Sequence, residues 1–228
     1  MPFTLPIPLP PRVAAFAPPK ATRWVVHVAC ALVVVIPAAM LASDLLNNTR
    51  LLGSDPIKET EHVFGEWTLR MLMLTLFVTP IRQLTGWNWI QKYRRILGVW
   101  AFAIGCTHLL TWAAIDVQFD WADIMADLTK RWYIIIGMTG WLLMLPLAIT
   151  STAGMVKRLG KKWVPLHNLI FVTVVLGCIH FFMAVKKDIE DPLIFAGFFA
   201  ALFAWRIWMA VRKRAVAAAS VPARARAA

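Results

Sequence analysis

Charge is scarce in this chain of 228 residues, and acid is scarcer still. Only 16% of residues are charged, and 12 Asp and Glu stand against 24 Lys and Arg. The hydrophobic share is 60%, and the mean hydropathy is +0.65. A soluble domain of this size cannot hide that much apolar surface, so the composition excludes a soluble enzyme and implies an integral membrane protein. Cysteine is limited to Cys30, Cys106 and Cys178, each within an apolar segment, so no disulfide is expected. There is no Gly-rich phosphate loop and no flavin- or nicotinamide-binding pattern. If electrons pass through this chain, another molecule delivers them. The opening MPFTLPIPLPPRVAAFAPPK has no basic start ahead of an apolar run, and reads as a proline-rich surface tail, not a signal peptide.

What is abundant is long apolar runs. Crossing a bilayer takes about 20 such residues in a helix. Spans of that kind are expected at Trp24–Ser43, Val63–Ile81, Ile96–Ile115, Tyr133–Thr150, Val164–Val185 and Pro192–Val211. The expected fold is all-α: a bundle of six transmembrane helices over residues 24–211, flanked by a tail at 1–23 and a basic, low-complexity tail at 212–228. Pro165 and Pro192 suit helix starts. Pro37, Pro80 and Pro146 fall late in their spans, where proline kinks or ends a helix.

The connections alternate in charge. The two tails and the loops Arg82–Arg95 and Lys157–Lys162 contain Lys and Arg but no acid. All 12 acids lie in Asp44–Glu66, Asp116–Arg131 and Lys186–Asp191. By the positive-inside rule the basic side is cytoplasmic, with both termini inside, as for a multi-pass protein of the bacterial inner membrane. This polarity accounts for the net charge of +12 without nucleic acid. Contact with anionic lipid follows from it. Tryptophans such as Trp24, Trp87, Trp132 and Trp163 fall near the expected interfaces, where indole is favoured.

Three of the five histidines lie inside spans: His108, His167 and His180. Imidazole is costly in lipid and usually faces a bundle interior with a task there. Neutral imidazole is the commonest protein ligand of metals and of haem iron. Spans 3 and 5 both start on the basic side. His108 lies towards the outer end of span 3. His167 is about one turn into span 5, and His180 lies about 20 Å further along it at 1.5 Å per residue. His108 and His180 therefore reach the same depth and can hold one haem between two helices. His167 would ligate a second haem near the cytoplasm, with its partner unidentified. Its counterpart in span 3 is Arg95, which stays protonated and is no iron ligand. Arg94 or Arg95 can instead meet haem propionates or a flavin phosphate. His167 and His180 should point about 140° apart on an ideal helix. A bulge or tilt could absorb that; otherwise the two haems face different neighbours.

The outer histidines share a pattern, Gly105-Cys106-Thr107-His108 and Gly177-Cys178-Ile179-His180. A glycine three residues before the histidine lies on its face of the helix and makes room either for a flat macrocycle or for close helix packing. His27 and His62 read as interfacial polar residues. Arg70, a turn inside the outer end of span 2, either snorkels or neutralises a propionate of the outer haem.

Several stretches carry a family resemblance: LGSDP (Leu52–Pro56), GEWTLR (Gly65–Arg70), LFVTPIRQLTG (Leu76–Gly86), YRRILGVWAF (Tyr93–Phe102), HLLTW (His108–Trp112), LLMLPLAITS (Leu142–Ser151) and LGKKWVPLHNLIF (Leu159–Phe171). Over about Leu51 to Val185 the chain resembles the MsrQ (YedZ) type, the haem-binding membrane subunits of the periplasmic methionine sulfoxide reductase system. That type belongs to the wider ferric-reductase-like transmembrane group. The family pattern has histidines at the positions of His108, His167 and His180. Trp132 stands where the pattern suggests proline. The resemblance implies b-type haem, one or two per chain, and FMN. It implies a quinol or cytoplasmic flavin reductase as donor, and a periplasmic molybdopterin-containing reductase that repairs oxidised methionine as partner. Two other readings compete with this electron conduit. One is a terminal ferric or oxygen reductase, which would need a feeding domain this chain lacks. The other is a non-redox metal transporter or structural membrane protein, for which no acid lies near mid-bilayer.

Overall fold

The computed structural model describes residues 21–185 and 189–225, and among these it contains helices and turns but no strand. Most of the proline-rich tail, residues 1–20, lies outside the described residues. The first helix, α1, spans Ala21–Asn47. It ends where Asn48 turns to a φ of 52°. The Asp44 carboxylate holds that turn, accepting from Thr49 Oγ1 at 2.5 Å and from the Leu51 and Leu52 amides at 2.9 Å each.

The next helix, α2 (Pro56–Thr85), starts on an Asp55 cap that accepts from the Lys58 amide, with Pro56 at its first position. It closes on Gly86, left-handed at φ 74°. After a short 3-10 turn come α3 (Gln91–Leu110) and, directly after it, a π-helical turn at Thr111–Asp116. The helices α4 (Trp121–Lys130), α5 (Trp132–Ile149), α6 (Ala153–Leu159), α7 (Trp163–His167), α8 (Leu169–Ala184) and α9 (Glu190–Ala225) follow. The basic tail expected at 212–228 thus continues α9 as far as Ala225.

Among the described residues, five stretches are long and apolar enough to cross a membrane: Ala21–Asn47, Asn88–Asp116, Trp132–Ile149, Ala153–Ala184 and Glu190–Arg212. They coincide with five of the six expected spans. The remaining one, α2, carries Glu66, Arg70 and Arg82 and also the longest series of buried residues, from Thr60 to Pro80. It packs against α1, α3, α8 and α9. A helix enclosed by other helices meets little lipid, so it tolerates polar side chains that a lipid-facing helix does not.

The core follows from this. Leu69, Leu72, Met73 and Leu76 of α2 pack with Ala101 and Ile104 of α3, Met144 of α5, and Ile170 and Val174 of α8. Pro37, Pro80 and Pro146 all lie inside continuing helices. Because Pro80 has no N–H, the Leu76 carbonyl loses its helical donor. Arg206 of α9 supplies one, its Nη2 donating to Leu76 O at 3.2 Å.

Candidate functional site

Two helix pairs form the site. α2 packs along α3, and α5 packs along α8. His108 faces α2 from α3, and its Nδ1 lies 2.9 Å from the carbonyl oxygen of Glu61. His180 faces α5 from α8, and its Nδ1 lies 2.7 Å from the carbonyl oxygen of Tyr133. A carbonyl only accepts, so both rings carry their proton on Nδ1 and leave a lone pair on Nε2. Neither Nε2 has a hydrogen-bond partner among the described residues. Donation of one ring nitrogen to a carbonyl while the other stays free is the arrangement of a metal-ligating histidine.

The spacing agrees. The two ring centres are 6.1 Å apart with their planes at 82°. Imidazoles on opposite sides of one metal, bonded at roughly 2.0–2.1 Å with each ring centre roughly 1.1 Å further back, have centres about 6.2 Å apart. The backbone also makes room for these rings. A Cβ placed on Gly137 would sit 2.5 Å from His180 Nδ1 and 2.7 Å from its Cε1. A Cβ on Gly65 would sit 3.3 Å from His108 Cε1. The donor set, the free nitrogens and the spacing fit haem iron held between His108 and His180.

His167 is placed differently. Trp163 stacks on its ring at 3.9 Å. Its Nε2 lies 2.9 Å from Thr150 Oγ1. The single Thr150 hydroxyl proton points to Pro146 O at 2.6 Å. His167 Nε2–H therefore donates to Thr150, and its lone pair sits on Nδ1, the reverse of the other two rings. Directly after it, Asn168 separates α7 from α8, its amide shared between Val164 O and Pro165 O.

The arginines divide. Arg94 is partly buried and Arg95 is exposed. Arg94 lies within electrostatic reach of Arg82, His167 and Arg206. Arg206 keeps a buried Nε without a hydrogen-bond partner among the described residues. These cations gather at the basic end, remote in sequence from every acid. Arg70 pairs with Glu66 at 2.6 Å and lies 5.1 Å over the Trp67 ring and 5.7 Å over Phe195. It lines a cleft of about 250 Å³ between α2 and α9. On α2 it is about 140° around from Gly65, so it is not brought to the paired imidazoles. His27 Nδ1 accepts from Trp100 Nε1 at 2.9 Å. His62 is exposed.

Sequence reasoning offered Gly105 and Gly177 as clearance for a macrocycle or for packing. A Cβ on Gly105 would meet Thr68 and Trp141, and one on Gly177 would meet Leu69, so both glycines allow close helix packing. The glycines that lie against the two rings are Gly65 and Gly137, which that reasoning missed. A signal existed. The interval from His108 to His180 also separates Gly65 from Gly137 and Glu61 from Tyr133, and both Nδ1 bonds span 47 residues.

Residues 64–178 match the family model described as ferric reductase like transmembrane component. A protein of Rhodospirillum rubrum named protein-methionine-sulfoxide reductase heme-binding subunit MsrQ is 44% identical over 194 residues, covering 84% of this chain and 90% of the relative. A Xanthomonas campestris pv. campestris protein of the same name is 40% identical over 198 residues, covering 85% and 89%. A third, from Xanthomonas euvesicatoria pv. vesicatoria, is 44% identical over 163 residues, covering 72% and 75%. No solved structure gives a significant match.

Proposed function

The chain belongs to the ferric reductase-like transmembrane family, in its MsrQ branch, and from that membership we propose that it is the haem-binding membrane subunit of a protein-methionine-sulfoxide reductase. It acts as a b-type cytochrome that passes electrons across the bacterial inner membrane through six spans, α2 being the sixth. The reductase that receives them is periplasmic and contains molybdopterin. The donor on the cytoplasmic side is quinol or a flavin reductase, with FMN as a further cofactor.

The observation that carries this reading is the pair of imidazoles 6.1 Å apart, each anchored through Nδ1 to a backbone carbonyl. A bound haem supplies reversible one-electron chemistry. The chain's own residues do the rest. His108 and His180 offer the Nε2 lone pairs. The Glu61 and Tyr133 carbonyls fix the tautomers and make both imidazoles stronger donors. Apolar walls from α2, α3, α5 and α8 exclude water. At the basic end Arg94, which has no ion pair among the described residues, meets acidic groups of a cofactor. Ligation of a second haem by His167 through Nε2 requires its proton to move to Nδ1 and the Thr150 bond to open.

The test is a reduced-minus-oxidised spectrum of the purified protein with a pyridine haemochrome assay. A low-spin b-type spectrum is expected. His108→Ala or His180→Ala removes it, while His167→Ala spares it. A colourless protein, or a spectrum that none of the three substitutions changes, overturns the assignment.

A further inference from the structure

Two contacts act on each paired imidazole, and they come from one turn of one neighbouring helix. Glu61 and Gly65 lie four residues apart on α2, and Tyr133 and Gly137 lie four apart on α5. The carbonyl fixes Nδ1, which leaves the ring free to swing about the hydrogen-bond axis. The glycine removes that freedom, because the ring lies directly against bare backbone. At Gly137 an added Cβ would meet Nδ1, Cε1 and Cγ at 2.5, 2.7 and 3.1 Å. At Gly65 it would meet Cε1, Nδ1 and Nε2 at 3.3, 3.5 and 3.8 Å. A real Cβ never sits 2.5 Å from a ring atom, so the His180 plane depends on residue 137 being glycine. The His108 plane depends on residue 65 in the same way, less strictly.

We infer that Gly65 and Gly137 are positioning residues that hold the His108 and His180 planes nearly perpendicular, and so set the electronic state of the haem iron they ligate. This rests on the haem reading above. The planes stand at 82°. Parallel axial imidazoles donate into the same iron dπ orbital and split the pair. Perpendicular ones donate into different orbitals and leave the two close in energy. A low-spin ferric haem then gives a single large-gmax EPR feature and not a three-line rhombic spectrum. The midpoint potential depends on the same orbital energies. Helix propensity does not account for these glycines, since alanine is the better helix former by about 1 kcal/mol.

The experiment is EPR of the ferric holoprotein, with a redox titration and haem quantification, on wild type and three alanine variants. Gly140→Ala is the control: it lies on α5 one turn from Gly137, and its Cβ meets only Leu176 Cβ at 3.6 Å and Thr173 O at 3.9 Å, which is ordinary contact. Wild type and Gly140→Ala are expected to share one large-gmax signal and one potential. Gly65→Ala keeps its haem while gmax falls and the potential moves. Gly137→Ala shifts further or loses haem, and in the latter case Gly65→Ala decides. A rhombic wild-type spectrum, a Gly65→Ala protein with wild-type gmax and potential, or a Gly140→Ala shift as large as that of Gly65→Ala overturns the inference. A wild type with no low-spin haem at all overturns the proposed function as well, so the two failures are distinguishable.

Discussion

Glu61 lends its carbonyl to His108, and its own carboxyl is mostly enclosed at the acidic end of α2, just before the expected span. One carboxyl oxygen, Oε1, is buried without a hydrogen-bond partner among the described residues. Burial, then the nearby Asp116 carboxylate, pushes the group from an ordinary 4.5 up to about 7, against the opposing pull of Lys58. Asp55 and Asp127 add smaller repulsions. The folded state therefore favours the protonated acid. Below pH 4.5 both states hold the proton and the contribution to stability is complete. Between 4.5 and about 7 the unfolded chain releases it first, and stability falls as pH rises; above about 7 the loss is complete. At ~1.4 kcal/mol for each tenfold change in proton affinity the full loss is about 3 kcal/mol. Partial exposure and solvent screening reduce it to about 2 kcal/mol. Glu61→Gln is neutral throughout. Its melting temperature in detergent should equal that of wild type near pH 4 and exceed it near pH 8, with the gap opening between. Parallel curves for the two proteins from pH 4 to 8 would refute the argument that burial governs this carboxyl.

Two further substitutions test the packing. Thr150→Val removes the acceptor of His167 Nε2–H. It should cost about 1–3 kcal/mol in thermal stability and leave the low-spin haem signal of His108 and His180 unchanged; a coincident loss of that signal would show that the two ends are not independent. Leu76→Ala empties a fully buried position at the centre of the bundle and should cost about 2–5 kcal/mol in the same melting assay. A loss under 1 kcal/mol would mean that α2 is not the packed centre.

The all-helical membrane class and the depth match between His108 and His180 were legible in the sequence because both depend only on counting. Apolar run length gives span positions, and the rise per residue gives depth. Rotation about a helix axis is harder to count. Arg94 faces inward and Arg95 outward, yet only Arg95 occupies the counterpart position to His167. Arg70 pairs with Glu66 and lies over Phe195 of α9, a direction that residue counting does not give. The anchoring carbonyls of Glu61 and Tyr133 leave no trace in side-chain identity, since every residue has one. Gly65 and Gly137 were visible only by sliding the chain along itself. α2 stayed ambiguous as a span because a helix buried among helices need not be apolar all round.

Each paired imidazole takes its carbonyl, its clearing glycine and its own helix from a single hairpin-like unit of nearby sequence. His108 needs only α2 and α3; His180 needs only α5 and α8. The centre is thus assembled as two prefabricated jaws. Neither ring takes its orientation from the other half. A group gripped between them would bridge the two halves and so would serve as a rivet of the bundle and not only as its cargo.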